Sequence, residues 1–370
     1  MKTAAKAYIG LGSNLGEREK VIRQAAEYLR KSPEILSIRL SSLSRWPALG
    51  CPEQPEYLNA AAEIVTTASA RRLLELLQET EKHFGRQRNH RWEARTLDLD
   101  LLLYENLVLD EPDLTIPHPQ MHFRSFVLNG LLELNPHLCC PRLKRPLRVL
   151  ADRLNHSNYV LDPARFQLIS IGGLIGVGKS TLAERLAPAL GGRLIREEYD
   201  KNPFLEKVYS GQTNLALDSE LFFLNSSVAQ LQKDGNLYEG LAVSDYVFFK
   251  SLIYARQWLD EESLARYRRI YDLVIQQVQQ PVLVLYLQDT AANCLARIRR
   301  RRRPFEQDIK MDFLESQQRM YEEILAGWTI CPVIRLDASE CVWPEQIPPL
   351  AKEVSYYLAG KCYGNSNHHF

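Results

Sequence analysis

The chain has 370 residues, 45% of them hydrophobic and 25% charged, which is long enough for two domains of ordinary size and apolar enough for each to have a core. Its 46 lysines and arginines nearly balance 45 aspartates and glutamates, and the net charge of +1 argues against a surface built as a whole for nucleic acid or an anionic membrane. No stretch approaches 18 apolar residues, and the seven cysteines include no Cys-x-x-Cys pair. These features predict a soluble cytoplasmic protein with free thiols.

The first half combines strand and helix patterns, with strands in the majority. The helix signals include Ser69 as an N-cap and Gly85 just past the end of the same helix. Because strands and hairpins dominate, we expect an α+β domain with a largely antiparallel sheet. Strands are predicted at residues 7–11, 35–43, 58–66 and 97–103, and helices at 18–30 and 69–84.

A basic stretch rich in turn residues, at residues 143–165, separates the two halves. We place the domain boundary there, with a first domain at residues 1–160, a second at 161–360 and a disordered tail at 361–370. The second half begins with a predicted strand, a glycine loop and a helix, and strands and helices continue to alternate. This alternation predicts an α/β domain with a parallel sheet.

Two aspartates in the first half stand two residues apart on a predicted strand, so both carboxylates leave the same face. Asp98 and Asp100 suit Mg²⁺, a hard cation that prefers oxygen ligands, although a bare Asp-x-Asp is more often a pair of exposed acids. Nearby arginines change that balance, because guanidinium groups clamp phosphates. These arginines are Arg86, Arg88, Arg91 and Arg95.

Residues 91–100 read Arg-Trp-Glu-Ala-Arg-Thr-Leu-Asp-Leu-Asp, and this run resembles the signature of 6-hydroxymethyl-7,8-dihydropterin pyrophosphokinases, enzymes of folate biosynthesis. Four further segments match the family in its order, at residues 12–16, 54–60, 116–119 and 124–126. The resemblance covers about residues 7–141. It implies a ferredoxin-like α+β sandwich that transfers pyrophosphate from ATP to the pterin hydroxymethyl group and releases AMP.

The resemblance also implies roles for individual residues. Asp98 and Asp100 would hold Mg²⁺ on ATP, and Tyr57 and Phe126 would sandwich the flat pterin. Asn59 would hydrogen-bond the pterin edge. The phosphate contacts would be Arg86, Arg88, Arg95, His118 and Arg124, of which Arg86 and Arg95 are the catalytic candidates.

The second half carries a complete G-x-x-x-x-G-K-S pattern at residues 173–180, between a predicted strand and a predicted helix. In such a loop the backbone N–H groups cradle phosphates, Lys179 reaches the β and γ oxygens, and Ser180 ligates Mg²⁺. The ATP-binding candidates of this loop are Gly173, Gly176, Gly178, Lys179, Ser180 and Thr181.

Residues 196–205, 243–246 and an arginine-rich helix predicted at 295–306 extend the pattern, and the half from about 166 to 336 resembles the deoxynucleoside kinases. The resemblance implies Glu198 as the base for the sugar hydroxyl, with Glu197 as the alternative. It also implies a homodimer formed through this domain. Arg301 and Arg303 would be lid arginines on ATP, and Glu220 and Asp245 would bind the nucleoside.

The nucleoside pocket departs from the family pattern. Glu220 stands where relatives carry a base-reading glutamine, Ser227 where they carry an arginine, and Tyr246 replaces the arginine of Asp-Arg-Ser. Exchanging an amide for a carboxylate removes two donors and adds a charge.

Two functions therefore stay open for the second domain: an active deoxynucleoside kinase, or a non-catalytic nucleotide-binding or assembly module. A third interpretation, nucleic-acid binding through the arginines of residues 297–303, is disfavoured because a lid over phosphates explains them. We expect ATP, the pterin and a deoxynucleoside as partners, and no nucleic acid or membrane.

Overall fold

The structure is a computed structural model that describes residues 3–49, 53–85, 95–160, 166–232, 240–341 and 343–358. The chain divides into two compact units, Met1–Val160 and Leu161–Phe370. Within the described ranges, no helix combines the length and apolar character needed to cross a membrane. The tail at 361–370 lies outside the described residues.

Antiparallel strands form the main sheet of the N-terminal unit, in the order β2-β4-β1-β5, with β3 paired to the start of β4. The strands are β1 (Ala5–Ser13), β2 (Ile35–Leu40), β3 (Ser44–Trp46), β4 (Tyr57–Thr66), β5 (Asp98–Tyr104), β6 (Leu109–Glu111), β7 (Leu114–Ile116), β8 (Cys139–Cys140) and β9 (Arg145–Pro146). The helices are α1 (Arg18–Arg30), α2 (Ala70–His83), α3 (Ser125–Leu134) and α4 (Leu147–Asp152).

Helices α1 and α2 connect β1 to β2 and β4 to β5, the connectivity of a ferredoxin-like fold, which confirms the predicted fold class. Their apolar faces join one core with alternate residues of the strands, including Ile9, Leu99 and Leu101. The intervening residues point to the other face of the sheet.

Helix α3 packs on that other face, against β4. A Cβ added at Gly130 would lie 2.9 Å from the Cβ of Ala61, so glycine permits the close approach of helix and strand. The face shared with α3 is also the one toward which Asp98 and Asp100 point, because Leu97, Leu99 and Leu101 belong to the opposite core.

The C-terminal unit contains a parallel sheet in the order β11-β12-β10-β13-β14, which confirms the predicted α/β class. Its strands are β10 (Gln167–Gly172), β11 (Arg193–Ile195), β12 (Leu241–Ser244), β13 (Leu283–Gln288) and β14 (Val333–Asp337). Its helices are α5 (Lys179–Ala189), α6 (Leu205–Tyr209), α7 (Ala216–Leu231), α8 (Lys250–Trp258), α9 (Glu261–Val274), α10 (Ala291–Arg301), α11 (Met311–Ala326), α12 (Ala338–Cys341) and α13 (Ile347–Tyr356).

The parallel strands bring three loops to the same edge of the sheet, since all their carboxyl ends lie there. The glycine loop follows β10, Glu197 follows β11, and Asp245 follows β12. The unit therefore places the glycine loop, which is predicted to bind phosphate, beside acidic groups.

The arginine-rich helix differs from its prediction over residues 295–306. Helix α10 ends at Arg301, Arg302 takes a left-handed conformation with φ of 55°, and a short 3-10 turn follows at Pro304–Glu306. Pro304 disfavours a helical conformation at the residue before it, which explains the early end.

Candidate active sites

The N-terminal unit has a cavity of about 300 Å³ on the sheet face shared with α3. Gly12 of β1 pairs with Asn59 of β4 on one side and with Asp98 of β5 on the other, and Gly10 pairs with Asp100. A Cβ added at Gly12 would lie 3.0 Å from Oδ1 of Asn59, so this glycine leaves room between the flanking side chains. The predicted Asn59, Asp98 and Asp100 all line the cavity.

Each aspartate of β5 faces a cation. Arg95 Nη1 lies 2.8 Å from Asp98 Oδ2, and Arg124 Nη1 donates to Asp100 Oδ2 at 3.2 Å. Nε2 of His118 lies 3.8 Å from Asp100 Oδ1. Burial lowers the pKa of His118; Asp100 opposes this effect and Arg124 adds to it, and the net lowering favours the neutral imidazole.

An apolar part of the same cavity adjoins these charges. Tyr57 and Phe126 line it, as predicted for a flat ligand, and Trp46 does too, with its ring centroid 6.3 Å from that of Phe126. Nδ2 of Asn59 is buried and has no hydrogen-bond partner among the described residues. An unsatisfied buried donor is costly, so it fits a ligand acceptor at this place.

The two aspartates fit a hard divalent cation, because both supply carboxylate oxygens from one face of one strand into the cavity. No group of three or more His, Cys, Asp or Glu side chains suited to a metal occurs in the described part of the chain. The predicted Arg86 and Arg88 lie outside the described residues.

The C-terminal unit has a second cavity, of about 120 Å³, at the carboxyl edge of its sheet. Gly176 lines it with a φ of 79°, and an added Cβ would lie 2.7 Å from the carbonyl oxygen of Cys294 on α10. Lys179 Nζ donates to the carbonyls of Gly173 and Leu174 at 2.9 and 2.8 Å. Burial lowers the pKa of Lys179 to about 8, and the nearby Lys250 adds to the shift.

A chain of contacts links the phosphate loop to the acids that follow β11 and β12. Ser180 Oγ donates to Asp245 Oδ2 at 2.6 Å, and Asp245 Oδ1 accepts from the backbone N–H of Glu197 at 2.8 Å. The carboxylate of Glu197 forms an ion pair with Lys250. The Ser180 hydroxyl, oriented by Asp245, fits the Mg²⁺ ligand expected in a loop of this kind.

The two adjacent glutamates have different surroundings. Glu197 lines the cavity, whereas Glu198 does not. Glu198 accepts from Lys201 Nζ at 2.6 Å and from Ser226 Oγ at 2.9 Å, and these two contacts hold its pKa below the ordinary value. Glu198, which the family resemblance implies as the base, is thus turned toward other partners. Glu197, the alternative, lines the cavity beside Lys179.

The two arginines predicted to form a lid both pair with one acid beside the cavity. Arg301 and Arg303 both line the cavity and both pair with Glu306, which is buried. Arg303 Nη2 also donates to the Tyr199 hydroxyl at 2.7 Å.

The remaining predicted residues divide between the cavity and its surroundings. Glu220, Ser227 and Asp245 line it. Gly173 and Gly178 shape the loop, with φ values of 140° and 109°, but are not part of the lining, and Thr181 is exposed. Three further residues line this cavity and were not predicted from the sequence: Lys250, Tyr254 and Trp258. The sequence offers a signal only for Lys250, which ends the apolar run 246–249.

Comparison with known proteins assigns both units. A family model described as 7,8-dihydro-6-hydroxymethylpterin-pyrophosphokinase matches residues 8–136, and one described as deoxynucleoside kinase matches residues 169–354. The pyrophosphokinase of Bacillus subtilis (strain 168) is 41% identical over 128 residues, which is 35% of this chain and 77% of that protein. The pyrophosphokinase of Haemophilus influenzae is 38% identical over 157 residues, 42% of this chain and 98% of that protein.

Among solved structures, deoxyadenosine kinase from M. mycoides with bound dATP superposes with a TM-score of 0.45 and 24% identity, covering 51% of this chain and 99% of that one. Both resemblances drawn from the sequence motifs are confirmed by the family matches. The chain belongs to the dihydro-hydroxymethylpterin pyrophosphokinase family through its N-terminal unit and to the deoxynucleoside kinase family through its C-terminal unit.

Proposed function

We propose that the N-terminal unit transfers pyrophosphate from ATP to 6-hydroxymethyl-7,8-dihydropterin, as the names of its relatives state for those proteins. The observation that carries the proposal is one cavity with two chemical halves. One half pairs Asp98 and Asp100 with arginines, which suits a metal-bound triphosphate, and the other is an aromatic cleft with the unsatisfied amide of Asn59.

The chain's own residues then have defined tasks. Tyr57 and Phe126 contact the two faces of the pterin, and Asn59 fixes its edge, so the hydroxymethyl oxygen is aimed at the β-phosphorus of ATP. Arg95 and Arg124 bind the phosphate oxygens as charge moves toward the leaving AMP. Asp98 and Asp100 would hold Mg²⁺, which supplies positive charge to the triphosphate when bound.

This proposal is tested by measuring AMP formation from ATP, Mg²⁺ and the pterin. Replacing both aspartates, D98N plus D100N, removes the metal ligands and should lower the rate by about 100-fold or more. The matched control is Asp152→Asn, an exposed aspartate at the end of α4, which should keep the parental rate. Full activity in the double variant would contradict the assignment.

For the C-terminal unit, we infer phosphorylation of a deoxynucleoside on its 5′-hydroxyl. Lys179 and the arginines Arg301 and Arg303 would contact the phosphates of ATP, and Ser180 would hold Mg²⁺. Glu197 would accept the proton of the attacking hydroxyl, because its carboxylate lines the cavity and Lys250 keeps it oriented.

The alternative, a non-catalytic nucleotide-binding module, has its own support in the altered pocket residues Glu220 and Ser227. A panel of the four deoxynucleosides with ATP and Mg²⁺ separates the two. Formation of ADP with any one of them establishes the kinase, whereas ATP binding without turnover of any would favour the module.

We also infer a cytoplasmic location, supported by the free thiols at all described cysteines, which are Cys139, Cys140, Cys294, Cys331 and Cys341. A homodimer through the kinase unit stays a proposal based on family resemblance.

A further inference from the structure

One departure from the family pattern in the C-terminal unit is not explained by the chemistry proposed so far. Tyr246 directly follows Asp245 at the carboxyl end of β12, where the Asp-Arg-Ser pattern has an arginine. Tyr246 is 2% exposed, packs in a hydrophobic cluster, and its hydroxyl donates to Oε1 of Gln230 at 2.7 Å. Position 246 therefore brings no positive charge to the acids at this edge of the sheet.

A positive charge reaches these acids from α8 instead. Lys250 is the first residue of α8, and its side chain is 12% exposed. Its Nζ contacts both carboxylate oxygens of Glu197. Burial lowers the pKa of Lys250, but Glu197, Tyr321 and Asp245 raise it, and the net effect is a raised pKa. The ammonium group thus keeps its charge inside the cavity.

Helix formation and stability do not explain a lysine at this place. The helix dipole disfavours a cation in the first turn of a helix. A buried ion pair also contributes little to stability compared with apolar side chains of the same volume. Burial and the charge of Lys250 together lower the pKa of Lys179, so two like charges lie near each other. These costs indicate that the ammonium group serves the chemistry of the cavity.

We propose that Lys250 replaces the missing arginine at Tyr246 and is the positioning residue that holds the Glu197 carboxylate toward the 5′-hydroxyl of the nucleoside. The inference rests on the proposed function, because Glu197 is the base proposed there. Asp245 fixes the backbone N–H of Glu197, and Lys250 fixes its carboxylate. The ring centroid of Tyr254 lies 4.8 Å from Lys250 Nζ and limits where the ammonium group can move.

The first test is a double-variant cycle with Glu197, measured as ADP formed from ATP and the deoxynucleoside that the parent phosphorylates best. K250M should lower kcat by about 100-fold and leave the KM values within about threefold, because Lys250 acts through the base. In the E197Q background, K250M should lower kcat by less than about threefold. The control is Lys352→Met, an exposed position on α13, which should behave as the parent.

The second test returns the arginine to its position in the family pattern. In the K250M background, Tyr246→Arg should raise kcat by at least about tenfold, because a cation again stands beside Glu197. Independent losses that multiply in E197Q plus K250M would overturn the inference, and so would a change in KM alone. If Tyr246→Arg unfolds the hydrophobic cluster, as circular dichroism would show, the cycle with Glu197 decides.

A third readout needs no turnover and separates the inference from the proposed function. K250M leaves the Glu197 carboxylate without its partner and should lower the melting temperature of the C-terminal unit in the full chain by about 5 °C. E197Q plus K250M should recover most of this loss, because no unpaired charge remains. Absence of the recovery would overturn the inference. A parent that shows the recovery but phosphorylates no deoxynucleoside would contradict the proposed kinase activity alone.

Discussion

Glu197 and Glu198 show how far apart the surroundings of two neighbouring side chains can be. Glu198 begins a short 3-10 turn, with φ of −87° and ψ of 52°, and its carboxylate meets Lys201 and Ser226, whereas the side chain of Glu197 lines the cavity. The sequence motif alone does not say which side faces the phosphates. The position of the loop relative to Asp245, whose carboxylate accepts from the Glu197 backbone, decides it.

Glu197 and Glu198 can be compared by the same substitution, with one variant as the control for the other. Glu197→Gln removes the proposed proton acceptor and should lower deoxynucleoside phosphorylation by about 100-fold to 10,000-fold. Glu198→Gln loses one surface ion pair and should stay within about threefold of the parent. The measurement is deoxynucleoside monophosphate formed per minute at saturating ATP. Equal losses in both variants would contradict the assignment of the base.

The site residues that the sequence predicts are those whose positions depend on neighbouring residues in the chain. Asp98 and Asp100 lie on one face because a strand has a two-residue period, and the phosphate loop is a continuous segment. Trp46 and Lys250 come to their cavities from other elements, β3 and α8, and their immediate sequence does not show which strands and loops they will meet there.

At the scale of elements, a helix that has a polar N-cap residue begins where the sequence predicts. Helix α2 begins just after Ser69, whose Oγ accepts from the backbone N–H of Arg72. Later in the same helix Glu81 is buried and accepts from the backbone N–H of Leu99 on the edge strand β5. Helix α2 thus supports the strand that carries both aspartates.

The cap permits a stability prediction. Ser69→Ala leaves one N–H of the first turn without its partner and should cost about 1 kcal/mol of local stability. Hydrogen–deuterium exchange in peptides covering residues 70–83 should become about fivefold faster. Ser37→Ala, at an exposed strand position, is the control and should leave these peptides unchanged. Unchanged exchange in the Ser69 variant would show that the cap does not stabilise α2.

Elements without such signals escaped prediction. Helix α3 is buried at seven of its ten residues, so it lacks the polar face that would reveal a helical period. Helix α4 lies in a stretch whose prolines and basic residues favour a loop, and its buried Leu147 and Leu150 stabilise it through tertiary packing. Both cases show packing overriding local preference.

At the scale of the whole molecule, the two cavities draw their side chains from separate units. Lys179→Ala should therefore lower the rate of ADP formation with deoxynucleosides by about 100-fold or more, because it removes the cation that contacts the transferred phosphate. AMP formation with the pterin should be unchanged. Because the two reactions give different nucleotide products, one chromatographic assay measures both. A parallel loss of AMP would contradict independent chemistry.

The described arginines that line the two cavities already pair with carboxylates: Arg95 with Asp98, Arg124 with Asp100, and Arg301 and Arg303 with Glu306. Under the proposed functions, triphosphate binding would be an exchange of anions, in which phosphate oxygens displace a carboxylate that a metal or a proton takes over. Breaking these ion pairs would offset part of the attraction between the arginines and the phosphate oxygens. An anion that brings no cation for the displaced carboxylate would therefore bind weakly. Under the same proposal, these ion pairs would favour a metal-bound nucleotide over bare phosphate.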